Sequence, residues 1–464
     1  VKKALIALPL VAVLALLVGS AWWADPFRGR PGDGEGEPLP KPAPSQHLDG
    51  VVAANFPTYD IDAKYDVEAG TIHGEMAITY RNPEEKPLGH FQLNLVANTL
   101  SGKQGAIKVS QVKVNGQPVE PEASLSSVRV PFATSLGKGE KVRVSLKFET
   151  IVPDGPWRLG RYQGVSMVAG WYPLVAPWWE GDWQAFPSGI SFGDPYYAES
   201  AYYKVRLTVP RGIKVVAGAD ILTQRSLGED TLWFFQTSRP VREFAFAASR
   251  DFKYTVERVG ETLVVFAYTG REDRTVMEAA ARSLDYFQQL LGDYPYRQFT
   301  VARVPLQGYA GMEYPAIVFI SSIEPYGPFT VAHEVAHQWW YNLVGNNQIS
   351  EPWVDEGLAN FMALLYSREY ERDRYPGRLR EFAATPGGPG FARPLTGFAS
   401  AEEYKRSAYV RGTMFWHQAY QDLGEERVMG LLRNIQENYR FQVVTWQDIR
   451  QMLLEVGVDP AAIP

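Results

Sequence analysis

The segment His333-Glu334-Val335-Ala336-His337 sets two imidazoles four residues apart, with a carboxylate beside the first. On a helix, positions i and i+4 differ by about 40° around the axis, so both rings reach one cation from the same face. Glu334 projects from an adjacent face, within reach of a water held by that cation. Eighteen residues separate His337 from Glu356, which lies in Glu351-Pro352-Trp353-Val354-Asp355-Glu356-Gly357. Pro352 suits the first turn of a new helix and puts Glu356 one turn in. Two antiparallel helices, joined by a loop over 345–350, would return Glu356 to the histidine pair. His333, His337 and Glu356 then leave a fourth position to water, the pattern of a catalytic zinc and not of a closed structural one. One Zn2+ is therefore expected, with Glu334 taking the proton of the attacking water.

Composition narrows the alternatives. The chain has 464 residues, enough for two or three domains with a sizeable core. It has no cysteine, which excludes disulfides, thiolate-held metals, iron–sulfur clusters and thiol nucleophiles. A formal net charge of −6 argues against a nucleic-acid surface, because phosphate binding needs an excess of Lys and Arg.

The elements that must position these residues fall into two parts. From 51 to 260 the pattern is mainly of strands. Ile61, Ala63, Tyr65 and Val67 alternate with polar neighbours, as do Val142, Val144, Leu146 and Phe148. Asn115-Gly116 marks a hairpin. This predicts an antiparallel sandwich or saddle-like sheet. From 261 to 464 the spacing turns mainly helical. Helices are predicted from Val276 to Leu291 and around 329–344, 352–370, 404–422, 425–438 and 445–456, with a strand at Ala316–Ile320. The aromatic-rich stretch from Pro156 to Tyr203 reads as core and packed loops, or else as a wall of a cleft. His417 reads as structural.

The N-terminus carries a separate message. Residues 4–24 are uncharged and almost wholly apolar, and Lys2 and Lys3 precede them. At about 1.5 Å per residue this run spans a bilayer core. It reads as a signal anchor, with cleavage of a signal peptide near Gly19-Ser20-Ala21 as the alternative. Residues 25–50 are rich in Gly and Pro and read as a tether. The remainder would then lie outside the cytoplasm, membrane-held or secreted.

The combination of His-Glu-x-x-His, eighteen residues, then Trp353-Val354-Asp355-Glu356-Gly357-Leu358-Ala359 resembles the gluzincin peptidases of the aminopeptidase N family. So does Gly311-Met312-Glu313-Tyr314, twenty residues ahead of His333, which is similar to that family's Gly-x-Met-Glu-Asn motif. The resemblance covers roughly residues 55 to 455. It implies a thermolysin-like catalytic domain behind an N-terminal saddle, with Gly311, Met312 and Glu313 binding substrate and Glu313 anchoring its free α-amino group. It further implies an oxyanion donor, for which Tyr409 in Tyr409-Val410-Arg411-Gly412 fits better than Tyr404. Tyr314 replaces the family's Asn, which puts recognition of the amine in question. No large helical domain follows the last predicted helix, so a more open cleft is expected.

The expected activity is removal of N-terminal residues from peptides. An endopeptidase with an open cleft is the alternative, and a peptide-binding module on a retired peptidase fold is a more distant one. The intact His333, Glu334, His337 and Glu356 speak against the last.

Overall fold

The computed structural model describes residues 55–100, 106–187, 189–190, 192–385, 390–460 and 463. The anchor and tether expected over 1–24 and 25–50 lie outside the described residues. Among the described residues, no helix is long and apolar enough to cross a membrane.

The N-terminal part is built from strands whose alternation is visible in the sequence. Thr58–Asp66 pairs antiparallel with Thr71–Arg81 and parallel with Tyr202–Pro210. Ile61, Ala63 and Tyr65 point inward while Asp62, Lys64 and Asp66 face solvent. These strands form the middle of an eight-stranded sheet. Its far edge is the Asn115-Gly116 hairpin, where Lys113 faces Pro118. Both turn residues have positive φ, 50° and 86°, as a tight hairpin twisting with its strands requires. Two four-stranded sheets and a two-stranded ribbon, Trp178–Trp179 with Asp182–Trp183, complete this part. Most of the expected aromatic crowd is core: Trp171, Tyr172, Tyr196 and Tyr197 are buried, whereas Trp157 is exposed.

The second part begins with a five-stranded sheet in the order Lys253–Val259, Thr262–Tyr268, Gln298–Val304, Ile317–Ser321, Gly311–Met312. Its first strand starts at Lys253, ahead of the expected change at 260. The three central strands run parallel and are almost fully buried, so they read as continuous apolar runs. Gly311–Met312 adds an antiparallel edge.

Numbered in chain order, the helices are α1 (Val96–Leu100) in the N-terminal part, then α2 (Arg274–Leu291), α3 (Pro328–Ala336), α4 (Trp353–Tyr370) and α5 (Tyr375–Ala383). They continue with α6 (Ala401–Tyr404), a π-helical turn (Lys405–Arg411), α7 (Gly412–Leu423), α8 (Glu425–Asn438) and α9 (Trp446–Glu455). The fold is thus a β-rich part followed by a mainly helical one, as the sequence predicts. One apolar core joins them. Met167, Val216 and Ala247 from the first part pack with Ala302, Met312, Ile317 and Phe319 from the second.

Two helices differ from the periodicity. The helix expected over 329–344 ends at Ala336, and the chain then winds into a wider turn. Asn342, Leu343 and Val344 donate to carbonyls five residues back. Buried Arg242 donates to the Tyr341 carbonyl, and Tyr341 has φ 136°. Arg242 thereby serves a buried carbonyl that lies outside the regular helix. The helix expected over 404–422 is instead α6, the π-turn and α7 in succession. Apolar spacing does not distinguish a turn carrying one extra residue from regular helix.

Candidate metal centre and catalytic cleft

Gly327 and Pro328 start α3, with Pro in the first turn where its missing N–H is not needed. The helix lasts nine residues, so its last turn brings His333 and Glu334 to the cleft and His337 becomes its C-cap. Pro352 precedes α4, which presents Glu356 one turn in. The two histidine Nε2 atoms lie 3.1 Å apart. Glu356 Oε2 lies 3.2 Å from His333 Nε2 and 3.3 Å from His337 Nε2. Among the described residues this is the one group of three His, Asp or Glu side chains that converges so as to hold a metal.

Zinc–ligand bonds of about 2.0–2.1 Å in a tetrahedron put ligand atoms roughly 3.3 Å apart, which is the spacing seen. Glu356 Oε2 has no hydrogen-bond donor of its own, so the cation would occupy an otherwise unserved acceptor. His337 Nδ1 lies 2.8 Å from the Trp340 carbonyl. Donation there fixes the tautomer that leaves the Nε2 lone pair free for metal. The residues therefore fit zinc.

The other oxygen of Glu356, Oε1, accepts from two hydroxyls. Tyr404 Oη is 3.3 Å away, and Tyr409 Oη makes a shorter bond. The Tyr409 ring also lies nearly parallel to His333, with centroids 5.6 Å apart. A close helix crossing brings the tyrosines here. A Cβ placed on Gly357 would sit 3.1 Å from the Gly412 Cα, and the converse contact is 3.0 Å. Glycine on both sides lets the π-turn approach the beginning of α4 this nearly.

Glu334 and Glu313 meet at the sheet edge. A Cβ on Gly311 would fall 2.3 Å from Glu334 Oε1, so the edge strand leaves a notch that the Glu334 carboxylate fills. Burial, joined by the charge of Glu356 and opposed by His337, pushes Glu334 up to about 8. Burial and then the charge of Asp194 raise Glu313 well above the carboxylate range. Glu356 behaves in the opposite way. Burial works against its charge, but the adjacent His333 and His337 rings prevail and lower it to about 2. Five buried carboxyl groups, Asp194, Glu313, Glu334, Asp355 and Glu356, thus crowd about two histidines, and a cation entering the cleft would relieve the repulsion that raises Glu313 and Glu334.

The predicted residues Gly311, Glu313, His333, Glu334, His337, Glu356 and Tyr409 come together here. Met312 differs in direction. Its side chain is buried in the core that includes Phe319, so it meets the cleft only through its backbone. Tyr314 is buried behind Glu313 with its ring against Phe319. Its carbonyl accepts from Gln338, which also accepts from the Ala316 N–H, tying this strand to the residue after His337.

Sequence reasoning missed Arg158 and Gln338 and gave Asp194 no role. Arg158 is buried, donates to Asp194 at 2.5 Å and to the Gly193 carbonyl at 3.0 Å, and lies 4.7 Å over the Tyr309 ring. It clamps the 193–194 loop to the segment leading into Glu313. A lone Arg in an aromatic-rich stretch has no spacing to mark it.

Residues 275–385 match the family described as Peptidase family M1 domain. Over 87% of this chain the fold superposes on a crystal structure of an M1 zinc metallopeptidase from Deinococcus radiodurans, with a TM-score of 0.68, 19% identity and 91% of that chain covered. A substituted form of that protein, bound to a Tyr-Ser-Ala substrate, superposes equally well at 0.68, with 19% identity and coverage of 88% and 92%. Among curated proteins, leukotriene A-4 hydrolase of Xenopus laevis is 22% identical over 284 residues, covering 56% of this chain and 46% of that protein. Aminopeptidase B of Mus musculus is 24% identical over 280 residues, covering 54% and 42%. The chain thus spans less than half the length of these curated relatives. Residues 275–385 are thus similar to a peptidase M1 domain, and the fold is that of the M1 zinc metallopeptidases.

Proposed function

We propose that this protein is a zinc-dependent aminopeptidase. The observation that carries this reading is the buried Glu313 carboxylate, next to the notch that seats Glu334 and close to the converging His333, His337 and Glu356. A carboxylate at that point pairs with the ammonium group of a peptide N-terminus and so sets the first peptide bond over the three ligands. An enzyme cutting within chains has no use for it.

Zinc, when bound, supplies Lewis-acid polarisation of the scissile carbonyl and of the attacking water. Glu334 takes the proton of that water and delivers it to the leaving amine. Tyr409 donates its hydroxyl to the oxyanion developing on the carbonyl carbon's oxygen. The relatives named as aminopeptidases and the Tyr-Ser-Ala complex of the Deinococcus protein agree with a peptide substrate. The apolar run 4–24 and the Gly/Pro-rich stretch after it support a catalytic part held at the outer face of a membrane.

The test is a mixture of free-amine peptides and their N-acetylated copies, incubated with the zinc-loaded protein and followed by mass spectrometry. Stepwise trimming of the free set alone is expected. Internal cleavage of both sets would replace this reading by an endopeptidase and leave Glu313 without its role.

A further inference from the structure

The carboxylate of Glu356 is served differently at its two oxygens. Oε2 faces His333 and His337, while Oε1 accepts from both Tyr404 and Tyr409. The side chain is 4% exposed, so water does not replace a lost donor on Oε1 at low cost. If Tyr409 turns its hydroxyl to a substrate oxygen, another donor must keep Oε1 satisfied and the carboxylate from rotating.

The two tyrosines are placed unequally for this. Tyr404 is 3% exposed and boxed by rings. Phe192, Phe398 and Tyr409 stand 5.7, 5.4 and 5.5 Å from it between centroids. Gly193 presses on the same ring, since a Cβ there would lie 3.1 Å from it. Tyr404 also ends α6, which the Ser400 side chain caps. Tyr409 is only half-buried, sits within the π-turn and shares a face with His333. One donor is enclosed by its surroundings, and the other is partly exposed.

We propose that Tyr404 is the positioning residue of the metal centre, its hydroxyl holding Glu356 Oε1 throughout turnover so that Tyr409 is released to the substrate. This rests on the peptidase reading for the part played by Tyr409. Outer partners of metal ligands orient them and sustain metal affinity. The role assigned to Tyr404 is of that kind and does not involve the reacting atoms.

Zinc affinity decides it, read by competition between the metal-free protein and a chromophoric chelator. Parent, Tyr404→Phe and Tyr409→Phe would be compared, each first checked for its metal-free melting temperature. Tyr404→Phe keeps the packed ring and loses only the hydroxyl. Its zinc affinity should fall by about 10- to 100-fold, and the zinc concentration giving half-maximal hydrolysis should rise in step. Tyr409→Phe should keep zinc affinity near that of the parent. Unchanged affinity in Tyr404→Phe would overturn the proposal. So would a loss in Tyr409→Phe as large as that in Tyr404→Phe, because the two hydroxyls would then be equivalent. Should Tyr404→Phe fail to fold, the Tyr409→Phe affinity decides alone: a retained value supports a second, sufficient hold on Oε1, and a large loss refutes it. A parent that shows this zinc pattern but trims no peptide would refute the peptidase reading while leaving the hold on Glu356 standing.

Discussion

Glu334 is the residue whose chemistry one atom exchange isolates. Glu334→Gln keeps the shape that fills the notch at Gly311 but cannot accept and return a proton. General acid–base groups contribute about 10²–10⁴-fold, so kcat should fall by that order while bound zinc and melting temperature stay as in the parent. Turnover within a few-fold of the parent would assign the base elsewhere. At this scale the sequence was highly legible. The spacing of His333, His337 and Glu356 follows from helix geometry, and the structure brings their three ligating atoms within 3.3 Å of one another. What spacing does not carry is direction. Met312 shares its motif with Glu313, yet its side chain enters the core, because neighbours on a strand point to opposite faces.

At the scale of elements, the edge strand Gly311–Met312 and helix α3 are fitted to each other through one absent side chain. Gly311→Ala would put a methyl 2.3 Å from the Glu334 carboxylate. No real contact is that short, so the carboxylate or the edge strand must shift. A misplacement of about 1 Å can cost some 10²-fold in rate, and a loss of that order is expected with zinc content unchanged. Steady-state kinetics beside metal analysis checks it, and a fully active Gly311→Ala variant would show that the notch does not set Glu334. The helices themselves were predictable where apolar spacing was regular, as in α2, α4, α8 and α9. They were not predictable where an interaction from a distant part of the chain intervenes. Arg242, distant in sequence, serves the Tyr341 carbonyl where the chain has left regular helix after α3. The π-turn at Lys405–Arg411 accompanies the Gly357–Gly412 approach, which no local pattern reports.

At the scale of the whole molecule, the two parts share a core and also a buried polar joint. Glu243, from the first part, accepts from Tyr196 at 3.0 Å and from Tyr341 of the second part at 2.5 Å. Burial, only partly offset by these hydroxyls and by Arg158, pushes it up to about 7 from an ordinary value of 4.5. Between those values the folded chain holds a proton that the unfolded chain has lost. The neutral form therefore contributes stability that is complete below pH 4.5 and lost as pH rises through about 7. Glu243→Gln removes that titration and keeps a carbonyl acceptor. Thermal unfolding at pH 5 and pH 8 should show a smaller loss toward pH 8 in the variant than in the parent. Equal losses would mean that Glu243 does not charge on this joint.

The sequence by itself pointed to the converging His333, His337 and Glu356 and to the pairing of a β-rich part with a helical one. The histidine pair is written in the 3.6-residue helical turn and the strands in their two-residue alternation, whereas the expected amine anchor rests on the resemblance of one motif. The tertiary structure alone decided that Tyr404 is boxed by rings while Tyr409 is partly exposed, that Arg158 binds Asp194, and that Gly311 makes room for Glu334. Those features arise from contacts between segments tens to hundreds of residues apart. Their cause is close packing, where one side chain's position depends on the volume left by another, and no local periodicity records that volume.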